Sequence, residues 1–160
     1  MANDPRIFYL VGALRDGCLT TQNTIKIKQK SREWLTKVLI PLFSEVFDRS
    51  FRNNVYFQKG KYPCWYLAFK DKRIWLTLKR FSKRLPKTKR EQRYYVMGFW
   101  DADGGCPKDP LNARKLYIKF TQKDRISLMK IKEVLENFGI RTGSVRISEI
   151  SKMVPYSGYL

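Results

Sequence analysis

The chain contains no histidine, and its three cysteines have no Cys-x-x-Cys spacing. The absence of histidine and of Cys-x-x-Cys pairs excludes ordinary structural zinc sites. The absence of histidine also excludes nucleophile–histidine triads and histidine-dependent nuclease motifs. The odd number and wide spacing of Cys18, Cys64 and Cys106 suit a reducing compartment. We expect them to be small buried apolar residues rather than metal ligands.

Long hydrophobic runs are missing as well. The first apolar stretch, residues 7–14, is too short to span a bilayer. The sequence also shows no secretory leader or lipidation motif. We therefore expect a protein that does not bind membranes, located in the cytoplasm of a prokaryote or in an organelle.

Acidic residues are scarce, because 14 Asp and Glu stand against 33 Lys and Arg, for a formal net charge of +19. A compact body with this excess repels itself unless a polyanion neutralises it, so nucleic acid is the expected partner. The basic residues alternate with apolar ones instead of forming a tail, which favours a folded binding surface. With 43% hydrophobic residues among 160, the chain can form one domain or two small halves that share a core.

The sequence repeats itself. Residues 25–32 resemble residues 118–125 at an offset of 93, whereas Asp16-Gly17 corresponds to Asp103-Gly104 at an offset of 87. The second half therefore carries six extra residues after its acidic motif, and the Gly- and Pro-rich residues 104–110 are the expected hairpin turn.

Each half has the same predicted order of elements. A short apolar helix (residues 8–14 or 94–100) precedes a β-hairpin whose clearer strand covers residues 24–29 or 115–121. In the first of these strands Ile25 and Ile27 alternate with Lys26 and Lys28, and in the second Leu116, Ile118 and Phe120 are expected to face inward. Ser31 and Asp124 are expected to cap the next helices. Two further strands, near residues 54–58 and 62–69, and a basic helix over 72–85 complete the first half.

The duplication predicts an α+β fold of two pseudo-twofold related αββαββα halves. We divide the chain into a first half (1–86), a charged linker (87–93) and a second half (94–160) that lacks a counterpart of the final helix.

Residues 96–104, Val-Met-Gly-Phe-Trp-Asp-Ala-Asp-Gly, resemble the nine-residue LAGLIDADG motif. Residues 10–17 resemble a degenerate copy with one residue fewer between Gly12 and Asp16. The chain thus resembles single-chain, two-motif LAGLIDADG homing endonucleases of the archaeal intron-encoded type. The resemblance implies a monomer whose two antiparallel sheets form a DNA-binding saddle, with the motif helices at the interface. It also implies site-specific cleavage of both strands of a long asymmetric DNA target with Mg²⁺, for which Ca²⁺ or Mn²⁺ can substitute.

The motif has a physical logic of its own. Small residues allow two helices to approach closely, and those available are Gly12, Ala13, Gly98 and Ala102. The glycine after each aspartate is expected to take a positive φ and end its helix. Two carboxylates brought together repel each other, and divalent cations relieve that repulsion while binding phosphate oxygens. The predicted metal site is therefore formed by Asp16, Asp103, Gly17 and Gly104.

Further roles follow only from the resemblance. Gln29 and Gln122 match the glutamines that lie near the catalytic waters, and Lys70 matches a lysine that supports the active centre. Arg32 and Arg125 either contact phosphates or form salt bridges at helix starts. Asp101 has Arg15 at the aligned position of the first motif, so we assign it no ligand role.

The DNA-reading surface is expected on the polar row of each sheet. A twisted antiparallel ribbon fits the major groove, where alternate side chains reach base edges or phosphates. Lysines chiefly supply salt-dependent affinity. The predicted row comprises Lys26, Lys28, Lys115, Tyr117, Lys119 and Thr121, with Asn54, Tyr56, Gln58, Ser144, Arg146 and Ser148 as neighbours.

Two other interpretations stay open. A non-cutting binder on the same scaffold, either an intron RNA maturase or a DNA-binding regulator, would explain the charge, but it would not need two aspartates in a phosphate-binding saddle. An RNA-binding protein of the ribosomal type would not explain the duplicated acidic motif. Restriction-type Glu-x-Lys and Asp-x-Lys pairs and paired GIY and YIG sequences are missing, which argues against other nuclease classes.

Overall fold

The structure is a computed structural model that describes residues 4–51, 54–109, 111–115 and 117–146, with Asp16 described in its backbone only. The first half has the predicted αββαββα order. Its elements are α1 (Ile7–Ala13), a 3₁₀ turn (Leu14–Asp16), β1 (Gly17–Leu19), β2 (Thr24–Gln29), α2 (Arg32–Trp34), a π-helical segment (Leu35–Leu39), α3 (Ile40–Phe47), β3 (Val55–Gln58), β4 (Cys64–Lys70) and α4 (Lys72–Ser82).

The four strands of the first half form one antiparallel sheet in the order β1-β2-β4-β3. The alternation predicted for β2 is confirmed, because Ile25 and Ile27 are fully buried while Lys28 is exposed. Their partners Phe69 and Leu67 face the same way, so the sheet has one apolar face. The π-helical segment, α3 and α4 pack on that face, and the residues of the other face are half-buried or exposed.

The described part of the second half repeats the first αββα. It comprises α5 (Lys89–Asp103), β5 (Gly104–Gly105), β6 (Lys119–Phe120) and α6 (Arg125–Asn137). The pair Gly104–Phe120 reproduces the pair Gly17–Ile27 at the offsets of the repeat. Both predicted helix caps are confirmed, since Ser31 accepts from the Trp34 amide at 3.1 Å and Asp124 from the Ile126 amide at 3.0 Å.

The strand predicted over residues 115–121 is shorter in the structure. Only Lys119 and Phe120 pair with β5, and Ile118, expected to face inward, is 71% exposed. An inward position needs a layer to pack against, and no other described residue covers Ile118. Leu116 and residues 147–160 lie outside the described residues, and with them the predicted DNA contact Ser148.

The helix α5 begins earlier than predicted. Thr88 caps it by accepting from the Glu91 amide at 3.1 Å, and the Glu91 carboxylate accepts from the Thr88 amide at 3.0 Å. This reciprocal capping box fixes the start at Lys89, so residues 89–93 of the predicted linker are helical.

The expected burial of the cysteines is wrong. Cys18 and Cys106 are exposed and Cys64 is half-buried, and all three are free thiols. Cys18 lies opposite Lys26 on the solvent face of the sheet, a position that strand parity sets. None of the helices in the described part of the chain is long and apolar enough to cross a membrane.

Candidate active site and nucleic-acid interface

The helices α1 and α5 cross at two glycines. A Cβ on Gly12 would lie 2.5 Å from the Tyr95 carbonyl oxygen, and a Cβ on Gly98 would lie 2.0 Å from the Tyr9 carbonyl oxygen. Neither distance leaves room for a side chain. The predicted close approach of the motif helices is therefore present, and it is reciprocal about a pseudo-twofold axis.

The shorter first motif reaches the same level as the longer one by changing its helix type. From Gly98 to Asp103 the chain takes five α-helical steps, a rise of about 7.5 Å. From Gly12 to Asp16 it takes four, but three of them enter the 3₁₀ turn, whose larger rise per residue also gives about 7.5 Å. The missing residue therefore does not displace the first acidic position along the helix axis.

The glycines after the two aspartates do not have the expected positive φ. Gly17 has φ −137° and Gly104 has φ −76°. Crowding explains why both positions are glycine. A Cβ on Gly17 would lie 2.6 Å from the Lys26 carbonyl oxygen, and one on Gly104 would lie 2.3 Å from the Trp100 ring. Each glycine lets a strand begin directly against its own half, so each aspartate stands where a helix meets a sheet.

The two strand-end glutamines reach across the pseudo-twofold axis. Gln29 Nε2 donates to the Ala102 carbonyl at 3.4 Å, and Gln122 Nε2 donates to the Arg15 carbonyl at 3.3 Å. In both, Oε1 accepts from the next backbone amide at 2.7 Å, which fixes the orientation of the side chain. Each glutamine therefore contacts the residue that precedes the aspartate of the opposite half.

One amide nitrogen joins the two motif ends directly. Gln122 Nε2 also donates to Asp103 Oδ2 at 2.5 Å, so the same atom contacts the Asp103 carboxylate and the backbone next to Asp16. The sequence predicted that these aspartates and glutamines gather, and the structure brings the Asp103 carboxylate, the Asp16 backbone and both glutamine side chains together.

The donors at this centre fit a hard divalent cation. Within the described residues, no three His, Cys, Asp or Glu side chains form a metal cage. Mg²⁺ does not need one, because one or two carboxylates with phosphate and water oxygens complete its shell. Asp103 offers carboxylate oxygens at the end of α5, and Gly17 and Gly104 continue each aspartate into the first strand of its half.

Asp101 has a structural partner. The Tyr9 hydroxyl donates to its carboxylate and accepts from Trp34 Nε1 at 3.0 Å. Burial and the Asp101 carboxylate raise the pKa of Tyr9, so the hydroxyl stays protonated as this chain of contacts requires. Asp101 therefore joins the two halves through Tyr9.

Lys70 lies away from this centre, contrary to expectation. It pairs with Thr24, whereas Gln29, at the other end of β2, pairs with Trp65. Because β2 and β4 are antiparallel, the start of β4 and not its end lies beside Gln29. At about 3.4 Å per residue the separation along the strand is roughly 17 Å. Lys70 is exposed and shares the solvent face of the sheet with Lys26 and Lys28.

That solvent face of the first sheet is basic and aromatic. Lys26 Nζ lies 4.2 Å from the centroid of the Tyr66 ring, and Tyr56 stacks on Tyr66 with centroids 5.4 Å apart. Lys28 pairs with Tyr66 across β2 and β4, and Gln58 lies at the exposed end of β3. Four predicted DNA contacts thus share one surface. Tyr66 was not among the predicted DNA contacts, although it alternates along β4 with the inward-facing Leu67 and Phe69 and therefore belongs to this face.

Three other residues predicted to contact DNA have different surroundings in the structure. Asn54 Nδ2 donates to the Ala68 carbonyl at 3.3 Å, so the side chain is held by the sheet. Arg32 lies over the Trp65 ring at 5.0 Å, and Arg125 is exposed at the start of α6. Neither arginine forms an ion pair with another described residue.

The second half presents a similar exposed set. Lys119, the counterpart of Lys26, points to solvent from β6, while Phe120 packs on Phe99 at 5.4 Å between ring centroids. Arg146 Nε donates to Ser144 Oγ at 2.9 Å. The exposed residues of the predicted row in this half are Lys115, Tyr117, Lys119, Thr121, Ser144 and Arg146.

Comparison with known proteins gives two kinds of match. Residues 90–156 match the sequence profile of the LAGLIDADG-like domain. A search among curated proteins finds no match.

Solved structures match over most of the chain. Mesophilic variants of the homing endonuclease I-DmoI superpose with a TM-score of 0.63 and 19% identity, covering 86% of this chain and 78% of theirs. I-DmoI in complex with DNA and Ca matches with a TM-score of 0.63 and 20% identity, over 86% of this chain and 73% of the other. The N-terminal LAGLIDADG domain of DUF199/WhiA matches with a TM-score of 0.67 and 11% identity, over 90% and 70%. The chain thus has the α+β fold of LAGLIDADG domains, and residues 90–156 are similar in sequence to the LAGLIDADG-like domain.

Proposed function

We propose that the protein is a LAGLIDADG homing endonuclease of the intron-encoded type, which cuts both strands of a long, asymmetric DNA site. The observation that carries this proposal is the position of Gln122, whose amide nitrogen joins the Asp103 carboxylate to the backbone beside Asp16. A protein that only binds DNA has no need to order a carboxylate at the centre of a surface that attracts phosphates.

The aspartates and the glutamines of this centre have different roles. Asp16 and Asp103 hold Mg²⁺, which supplies charge neutralisation at the scissile phosphates and lowers the pKa of water. Gln122 Nε2 orients Asp103 Oδ2, and Gln29 and Gln122 keep the two motif ends in register through backbone contacts. These contacts pre-form the site, so little reorganisation is left for the reaction itself.

The basic rows position the DNA. Lys26, Lys28 and Lys70 on the first sheet and Lys119 on the second bind backbone phosphates, which releases counterions and gives salt-dependent affinity. Tyr56 and Gln58 lie beside them on the same face and read base edges. Two unlike halves in one chain favour a monomer that recognises an asymmetric site of about two DNA turns.

The test is cleavage of supercoiled plasmids that carry a randomised library of sites, in Mg²⁺ and with EDTA as control. We expect linear product from a small set of sequences in Mg²⁺ and none in EDTA. Asp103→Asn and Asp16→Asn should abolish cutting, with duplex binding in Ca²⁺ retained. Binding of a defined site without any cutting by the unaltered protein would overturn the proposal.

A non-cutting binder is the second candidate, and one observation favours it. Exposed Tyr56 stacks on half-buried Tyr66 beside Lys26, an arrangement that also suits unpaired bases of RNA. Competition between duplex DNA and structured RNA at fixed salt separates the two. If the protein prefers RNA and does not cleave DNA, the intron RNA maturase interpretation is favoured.

A further inference from the structure

Arg15 occupies the place before Asp16 and contacts the second half with both its backbone and its side chain. Its carbonyl accepts from Gln122 Nε2 at 3.3 Å. Its Nη1 donates to the buried Ser127 hydroxyl and lies 3.6 Å from Asp124 Oδ2. With 19% of its side chain exposed, Arg15 is largely enclosed between the halves.

The three partners of Arg15 belong to one short segment, residues 122–127. Asp124 caps α6, and its carboxylate also accepts from the Ser127 hydroxyl. That hydroxyl, the backbone amides of the first turn and Arg15 hold the pKa of Asp124 below its usual range, so the carboxylate is ionised at neutral pH. Gln122 at the start of this segment is the residue that contacts the Asp103 carboxylate.

Among the described residues, the pseudo-symmetric side has no equivalent ion pair. Counted back from the two aspartates, Ala102 corresponds to Arg15, and the offset of 93 relates Ser31 to Asp124 and Trp34 to Ser127; none of these three carries a charge. The contact on that side is instead a chain of hydrogen bonds from Trp34 Nε1 through the Tyr9 hydroxyl to the Asp101 carboxylate, which contains no basic side chain. The two glutamines therefore share the contacts with the opposite backbone and with the next amide, but the segments that carry them are held by different side chains.

We propose that Arg15 is a positioning residue that holds Gln122 against Asp103, and that the ion pair with Asp124 makes one half of the catalytic centre dependent on it. This inference rests on the proposed endonuclease function. Loss of the ion pair should disturb Gln122 and leave Gln29 in place. One DNA strand should then be cut more slowly than the other, and singly nicked plasmid should accumulate.

The test compares Arg15→Ala, Arg15→Lys and Asp124→Asn in single-turnover cleavage of supercoiled plasmid. Asparagine still caps a helix well, so Asp124→Asn removes the charge and keeps the α6 cap. We expect Arg15→Ala and Asp124→Asn to slow the second cut roughly ten- to a hundredfold relative to the first, in line with the cost of small misplacements in active sites. Arg15→Lys should restore part of the loss. Lys132→Ala, which breaks the Lys132–Glu136 ion pair on the same helix, is the matched control and should cut both strands normally.

A second readout does not depend on cutting. The side-chain amide resonances of Gln122 and Gln29 can be followed by NMR in each variant. We expect the Gln122 resonance to shift in Arg15→Ala and Asp124→Asn while the Gln29 resonance stays in place. Equal shifts at both glutamines, no shift at Gln122, or equal slowing of both cuts would overturn the role of Arg15. If the unaltered protein does not cut and the Gln122 resonance still moves alone, the endonuclease proposal fails and the positioning role stands.

Discussion

The carbonyl oxygen of Tyr9 lies where a side chain on Gly98 would have to begin, at 2.0 Å from the ideal Cβ position. Backbone atoms of both motif helices meet at this point, and neither can move without separating the halves. We expect Gly98→Ala to destabilise the protein by about 3 kcal/mol or more, because the interior must expand around an added methyl group.

The control for Gly98→Ala is Gly143→Ala, since a Cβ at Gly143 meets no atom within 4 Å. Its free energy of unfolding should stay within about 0.5 kcal/mol of the unaltered protein. Denaturant unfolding followed by tryptophan fluorescence measures both. Equal stability of the two variants would mean that the helices do not cross at the glycines.

Removal of either strand-end amide should slow cleavage without weakening binding. Gln122→Met and Gln29→Met keep the approximate length of the side chain and lose the donor that reaches the opposite motif. We expect a decrease of about a hundredfold in the single-turnover rate for Gln122→Met, because it also loses the contact with Asp103. Gln22→Met, an exposed glutamine in the β1–β2 turn, is the control. Unchanged rates in both strand-end variants would remove the glutamines from the site.

The solvent face of the sheets should account for the salt dependence of DNA binding. Lys28→Ala in the first half and Lys119→Ala in the second each remove one expected phosphate contact. Each should lower the slope of log Kd against log salt by about one. Lys79→Ala removes the same charge from α4, which packs on the covered face of the sheet, and should leave the slope unchanged. Anisotropy titrations in Ca²⁺ at four salt concentrations provide the measurement, and equal slopes for all three variants would place the DNA elsewhere.

Thr88 fixes the start of the second motif helix, and its loss should be measurable in stability alone. Thr88→Ala removes the side-chain half of the capping box, which costs about 1 kcal/mol. Thr77 also carries a hydroxyl that bonds backbone, to the Arg73 carbonyl at 2.9 Å, but it lies inside α4. Thr77→Ala should therefore be neutral or slightly stabilising. If thermal unfolding finds equal losses in both, the cap does not hold α5.

Features set by neighbouring residues were predictable from the sequence. The alternation of Ile25 and Ile27 with lysines determines which side of the sheet is buried, because strand parity is a local property. The caps at Ser31 and Asp124 are likewise local. Because the sequence repeats, the elements predicted in one half could also be predicted in the other. The start of α5 could also have been predicted, since Thr88 and Glu91 have capping-box spacing, but these residues were assigned to the linker.

Features set by distant partners were not predictable. The place of Lys70 depends on which end of β4 lies beside Gln29, and only the antiparallel register decides that. The contact of Arg15 with Ser127 joins residues 112 positions apart, and no sequence motif predicts it. The glycine at 17 was correctly singled out for the wrong reason, because the crowding by Lys26 appears only once β2 has folded back.

The crossed hydrogen bonds of Gln29 and Gln122 have a consequence for building chimeric proteins. A graft that divides the chain in the connection before Lys89 would keep every strand and separate each motif end from the glutamine that supports it. The units that must be transferred together are residues 12–16 with 122–127, and residues 98–103 with Gln29. Recombination of halves from different proteins should therefore be designed along the helix interface, with the glutamines and their acceptors matched first and the connecting segment chosen last.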